Sequence, residues 1–144
     1  MAAAQFADGS RAFLCALTAE ARAALASAEA EITQFPFRIG RESRNKESDR
    51  TGFFSEMRKP GNRPNNDLYL IEDGELMNVS REHFQIAREP GGFVLEDRRS
   101  TLGTIVEGQT VGGGGKEGRV DLRDGDVIIV GASVSPYVFK FRVR

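Results

Sequence analysis

The chain predicts an all-β fold, an antiparallel β-sandwich with an amino-terminal α-helical extension. Three observations lead there. Between Phe35 and Val143 the apolar residues fall in short runs, several of them alternating with polar ones. Gly, Asp and Pro turn signals separate these runs, and no helix-length segment lies among them. The 144 residues, 40% hydrophobic and 28% charged, suit one soluble domain with a proper core.

Taken in order, Arg11 to Glu31 is Ala-rich, with Leu14, Leu17, Ala21, Ala24, Leu25, Ala28 and Ile32 at helical spacing. It reads as a single, weakly amphipathic helix, or as a short turn and a second helix with Thr18 as N-cap. The expected division is therefore 1–33 as a helical extension and 34–144 as the β domain. At Phe35-Pro36-Phe37-Arg38-Ile39-Gly40 the period becomes two, a half-buried strand. From Glu42 to Asn66 there is almost no periodicity, and a loop longer than roughly 12–15 residues is uncommon unless functional or disordered. Asp67–Ile71, Phe84–Arg88, Phe93–Asp97, Gly103–Val106, Gly118–Leu122 and Val127–Gly131 follow as strands. The last strand sets Tyr137, Phe139, Phe141 and Val143 on one face. No internal repeat is visible.

Composition narrows the function classes. The net charge of −1 names no partner by bulk electrostatics, but the charge is unevenly spread. From Arg38 to Arg63 eight bases face four acids, a local +4; from Asp67 to Asp97 two bases face eight acids, a local −6. A basic loop on a neutral protein suits a local anionic ligand better than a long polyanion, so neither nucleic acid nor membrane is expected as a partner. No apolar run reaches bilayer-spanning length, and Met1–Asp8 lacks the pattern of a secretory leader. The lone Cys15 forms no internal disulfide and reads as a packing thiol, which fits a reducing, cytoplasmic setting.

The segment Asn78-Val79-Ser80-Arg81-Glu82-His83-Phe84 holds the single His. Ser80 and His83 suggest a nucleophile and base, yet a triad also requires an orienting acid and an oxyanion hole, and nothing around Ser80 resembles a nucleophile elbow. With one His and one Cys the chain offers no metal set, and no cofactor is expected. Gly113-Gly114-Gly115-Lys116-Glu117-Gly118 fits G-x-G-x-x-G formally, but a dinucleotide site needs a preceding strand and a following helix, so it reads as a flexible β-loop. Binding is the better class. Arg41 follows a Gly at a strand end, and Ser80 and Thr101 lie in turns, the residue types that grip a phosphate. Charge-assisted hydrogen bonds of about 1.5–3 kcal/mol each let two or three of them support micromolar recognition.

Gly40-Arg41, Ser80-x-x-His83, Ser100-Thr101-Leu102-Gly103-Thr104-x-Val106-x-Gly108 and Leu122-x-Asp124-Gly125-Asp126-x-Ile128-x-Val130-Gly131 together resemble the forkhead-associated (FHA) domain. The match runs from about Gln34 to Val143. The resemblance implies an FHA/SMAD-like sandwich without catalytic activity that binds phosphothreonine-containing proteins in kinase-linked signalling. Under it, Arg41 pairs with the phosphate, Ser80 is its hydroxyl partner, and Arg81 helps hold the phosphate or the peptide backbone. Thr101 lines the site, His83 braces the loops without touching ligand, and Gly40 and Gly103 permit the loop geometry. Leu102 departs from the pattern, standing where the family usually has an Asn that bonds the peptide main chain. Leu has neither donor nor acceptor, which costs on the order of 1 kcal/mol of peptide positioning or shifts it to apolar contact. That departure supports an alternative, a scaffold used for phosphorylation-independent protein–protein interaction. The long loop would add Arg44, Lys46 or Arg50.

Overall fold

A computed structural model describes residues 9–42, 65–72 and 78–144. Its elements are β1 (Ala12–Ala16), α1 (Ala19–Leu25), β2 (Glu29–Ile32), β3 (Phe37–Arg41), β4 (Leu68–Leu70) and β5 (Phe84–Glu89). There follow β6 (Gly92–Asp97), β7 (Thr104–Val106), β8 (Gln109–Val111), β9 (Gly118–Leu122), β10 (Val127–Val130) and β11 (Val138–Val143). Two sheets stack, one in the order β2-β1-β11-β10-β7-β8 and the other β4-β3-β5-β6-β9. The strand expectations from Phe35 onward hold, within a residue or three at the ends. Every described pairing of named strands but one is antiparallel. The exception is β3–β4, which run parallel with Gly40 opposite Tyr69 and Arg41 opposite Leu70, so the second sheet is mixed.

The alternating residues explain the core. Along β11 Phe139 and Phe141 are fully buried while Lys140 and Arg142 point away. Phe84 and Ile86 of β5, Phe93 and Leu95 of β6, and Ile128 and Val130 of β10 fill the same cluster. Phe93 meets Phe141 edge to face with ring centroids 5.3 Å apart, joining the two sheets, and Phe35 adds a tilted contact to Phe93 at 5.7 Å. Such aromatic pairs add about 0.5–1.5 kcal/mol beyond their buried area.

The amino-terminal expectation is corrected. Residues 11–31 do not form one helix; β1 lies between β2 and β11, pairing Ala12 with Val143 through Ala16 with Phe139. The boundary placed at 33/34 thus falls between β2 and β3, strands of opposite sheets. Alanine favours helix by tenths of a kcal/mol per residue, and a ladder plus burial of Ala12, Phe13 and Leu14 outweighs that. The Thr18 alternative comes nearer. Thr18 Oγ1 accepts the Ala21 N–H at 3.2 Å, capping a helix of only seven residues. That helix closes on Ala26 in the left-handed region, φ 60°.

β8 is an addition to the sequence reading. It pairs with β7 through a two-residue turn in which Glu107 and Gly108 both have positive φ, 48° and 80°. This is the turn whose twist suits a tight hairpin, but Glu is an unusual first residue for it. Most of the long loop, including Arg44, Lys46 and Arg50, and the turn at 73–75 lie outside the described residues. Among the described residues no helix is long and apolar enough to cross a membrane.

If β1 is a core strand and not an appendage, Leu14→Ala should cost about 2–5 kcal/mol, as buried leucines do. Urea denaturation measures it. A cost near zero would mean that this segment is peripheral.

Candidate functional site

The strand directions bring the residues together. β3 ends at Arg41, β5 begins at Phe84 opposite Ile39, and β6 ends at Asp97 opposite Phe84. The loops 78–83 and 98–103 therefore meet beside the end of β3. Gly40 is required there by a close approach. A Cβ at this position would lie 2.0 Å from the Arg81 carbonyl oxygen and 2.6 Å from Asn66 Nδ2. No side chain can replace it without moving the loop. The backbone of Arg41 is then fixed, its N–H donating to the Ser80 carbonyl at 2.9 Å, and Glu42 N–H donates to Leu70 at 2.9 Å. Among the described residues no carboxylate pairs with the guanidinium of Arg41 or of Arg81.

Glu72 sets the entry to the Ser80 turn, its carboxylate accepting from Asn78 N–H at 3.0 Å and Val79 N–H at 2.8 Å. His83, with no exposed surface, joins this turn to the next one. Nδ1 accepts the Ser80 backbone N–H at 2.9 Å, so Nε2 carries the proton and donates to the Gly103 carbonyl at 2.7 Å. His83 takes the backbone of Ser80 and not its hydroxyl, so the contact that would activate a serine is not made. The Ser80 hydroxyl oxygen instead accepts the Thr101 N–H at 3.0 Å, which leaves its own proton available to donate.

The second loop is built on Asp97, buried at the end of β6. Its carboxylate accepts from Ser100 N–H at 2.8 Å, Ser100 Oγ at 2.7 Å and Thr104 Oγ1 at 2.9 Å, and Ser100 Oγ in turn accepts the Gly103 N–H at 2.9 Å. The glycine run read as a flexible β-loop supports this turn from behind. Gly114 and Gly115 N–H donate to the carbonyls of Thr101 and Ser100 at 2.8 and 3.1 Å. A Cβ at Gly112, whose φ is +70°, would sit 2.5 Å from the Asp97 side chain. Thr101 and Leu102 are left at the surface, Leu102 being 41% exposed.

Sequence reasoning also missed a polar cluster of Asn65, Asn66 and Arg98. Asn66, 2% exposed, donates from Nδ2 to the Arg81 carbonyl at 2.6 Å. Its Oδ1 accepts from Arg98 Nη1 at 2.6 Å, and Arg98 Nη2 donates to the Asn65 carbonyl at 3.0 Å. Burial works against the charge of Arg98, with Glu82 at 3.7 Å supporting it. No short motif announces such a cluster; its partners are 32 positions apart.

The structure thus places Arg41, Ser80, Arg81 and Thr101 at one end of the sandwich, with Gly40, His83 and Gly103 beneath them and Leu102 at the rim. Among the described residues no group of three His, Cys, Asp or Glu side chains is set to hold a metal. Among the described residues this surface presents the guanidiniums of Arg41 and Arg81 without a carboxylate partner and a Ser80 hydroxyl whose proton is free to donate. It suits an anionic group on an extended chain, held by charge-assisted hydrogen bonds.

Burial pushes the His83 pKa below its ordinary 6.5, only partly opposed by the Gly103 carbonyl and by Asp97 and Glu72. Below about pH 6.5 the unfolded chain then binds a proton that the folded one refuses, so stability is fully present above that pH and lost as the pH falls toward the depressed value. Denaturant midpoints at about pH 7.5 and about pH 5.5 should differ, with a slope of at most about 1.4 kcal/mol per pH unit from this group. His83→Gln should flatten that slope; an unchanged slope would show that another group titrates.

Comparison with known proteins bears on this geometry. The FHA domain family model matches residues 37–131, from the start of β3 to one residue past the end of β10. No curated protein gives a significant sequence match. Among solved structures, the chain is similar to Mycobacterium tuberculosis EmbR in complex with a low affinity phosphopeptide, at 21% identity and a TM-score of 0.55. That match covers 97% of this chain but only 28% of EmbR. It is also similar to the kinase-interacting FHA domain of the kinase associated protein phosphatase of Arabidopsis, at 22% identity and a TM-score of 0.59, covering 93% of each chain. A third is the N-terminal FHA domain of S. cerevisiae Rad53p in complex with a phosphothreonine peptide, at 20% identity and a TM-score of 0.56, covering 92% of this chain and 91% of that one. At these identities the likeness shows the fold, and the family model spans most of the chain. This chain belongs to the FHA domain family.

Proposed function

We propose that this chain is a phosphothreonine-peptide-binding adaptor module of kinase-linked protein signalling, acting in the cytoplasm and without catalytic activity. The observation that carries the reading is the convergence of Arg41, Ser80 and Thr101 on one loop end, tied by the Arg41–Ser80 and Ser80–Thr101 hydrogen bonds. Arg41 and Arg81 supply positive charge, the Ser80 hydroxyl donates, and Thr101 lines the site. Two of the similar structures, EmbR with a low affinity phosphopeptide and the Rad53p FHA domain with a phosphothreonine peptide, support the same reading.

Arg41→Ala or Ser80→Ala should leave the fold intact and lower affinity for a phosphothreonine peptide roughly 10- to 150-fold, the equivalent of one charge-assisted hydrogen bond. Isothermal titration with phosphorylated and unphosphorylated forms of one library-selected peptide measures this. Equal binding of the two forms by the unaltered chain would overturn the reading.

The exposed Leu102 favours a second reading, phosphorylation-independent use of the same scaffold, because an apolar side chain stands where an amide would grip the peptide main chain. Under the first reading Leu102→Asn should strengthen phosphopeptide binding by roughly fivefold, the value of one neutral hydrogen bond. Under the second, a partner recovered with the unaltered chain should survive phosphatase treatment and the Arg41→Ala change.

A further inference from the structure

Behind the loop end lies a relay of three residues. Arg98 carries the positive charge, Asn66 is the buried amide, and the Arg81 carbonyl is the end point. The cation at Oδ1 decides which way the Asn66 amide faces, since only its oxygen can accept from Arg98 at 2.6 Å. Nδ2 is thereby aimed at the Arg81 carbonyl, also 2.6 Å away, over the space that Gly40 leaves open. Arg98 is itself oriented by the Asn65 carbonyl. It also faces Glu82 at 3.7 Å, the one carboxylate next in sequence to Arg81. The Arg81 side chain remains exposed.

We propose that Asn66 and Arg98 are positioning residues for phosphopeptide binding. They clamp the Arg81 backbone against β3 so that its guanidinium stands as the second cation of the site, and Arg98 keeps Glu82 off it. This rests on the phosphopeptide reading and assigns a cause to the charge of that site. A planar guanidinium meets both demands on Arg98, two acceptors on the Asn65–Asn66 segment and one carboxylate. Neither Asn66 nor Arg98 touches the ligand under this proposal; both act through Arg81.

The test is a double-mutant cycle with a fluorescein-labelled phosphothreonine peptide selected by the unaltered chain, each variant first checked by thermal melting. Asn66→Leu should weaken binding on the order of tenfold when Arg81 is present and less than about twofold in an Arg81→Ala background. Arg98→Gln should follow the same pattern, and adding Glu82→Gln should restore part of its loss; this pair carries the test if Asn66→Leu does not fold. Equal losses in both backgrounds, or no loss in a folded variant, would overturn the positioning role. Arg41→Ala separates the two levels. If the unaltered chain binds the labelled peptide in an Arg41-dependent way while the cycle is additive, only the positioning role fails. If binding does not depend on Arg41, the phosphopeptide reading fails and takes this proposal with it.

Discussion

The candidate binding end of this molecule depends on one buried, neutral imidazole. His83 is the point where two loops from neighbouring strands become one surface, because its two ring nitrogens are spent on the Ser80 N–H and the Gly103 carbonyl. Neither backbone group could be left unpaired in a dry interior without a cost of about 1–3 kcal/mol. The ring has one acceptor and one donor only while it is neutral, and burial is what keeps it so. A Lys or Arg could not accept, and a carboxylate could not donate. The requirement for a group with both capacities, flat and of this reach, explains a histidine at that position better than any catalytic use.

Around that brace, among the described residues, the polar side chains behind the loops have partners of their own. Asp97 is occupied by Ser100 and Thr104, Glu72 by the amides of Asn78 and Val79, and Asn66 by Arg81 and Arg98. These bonds hold the described parts of the loops in place, which lowers the free energy that binding would spend on ordering them. Glycine serves this in two ways. At Gly40 it makes room for a carbonyl and an amide, and at Gly112 it admits the Asp97 side chain beside a backbone of positive φ.

The parts of the fold legible in the sequence are those written locally. Alternation in β5, β6 and β11 marks half-buried strands, and Gly40-Arg41 with Ser80-x-x-His83 marks the loop end. What was not legible is set by partners distant in sequence. Ala12–Ala16 carries helix-forming composition, and only the ladder with Val138–Val143 makes it a strand. The parallel pairing of β4 follows from its place beside β3 after a long connection, which no local pattern encodes. Asn66 and Arg98 look like ordinary surface residues until the fold buries one against the other. The glycine run at 112–115 shows its flexibility in the sequence, but its hydrogen bonds to Ser100 and Thr101 only in three dimensions.

On the phosphopeptide reading the anion is held where these loops meet. The most direct measurement is backbone amide chemical-shift mapping of the isotope-labelled chain, titrated in parallel with a phosphothreonine peptide and its unphosphorylated twin. The amides of Arg41, Ser80, Arg81 and Thr101 should shift with the phosphorylated peptide alone. Shifts confined to the opposite end of the sandwich, or identical for the two peptides, would contradict it.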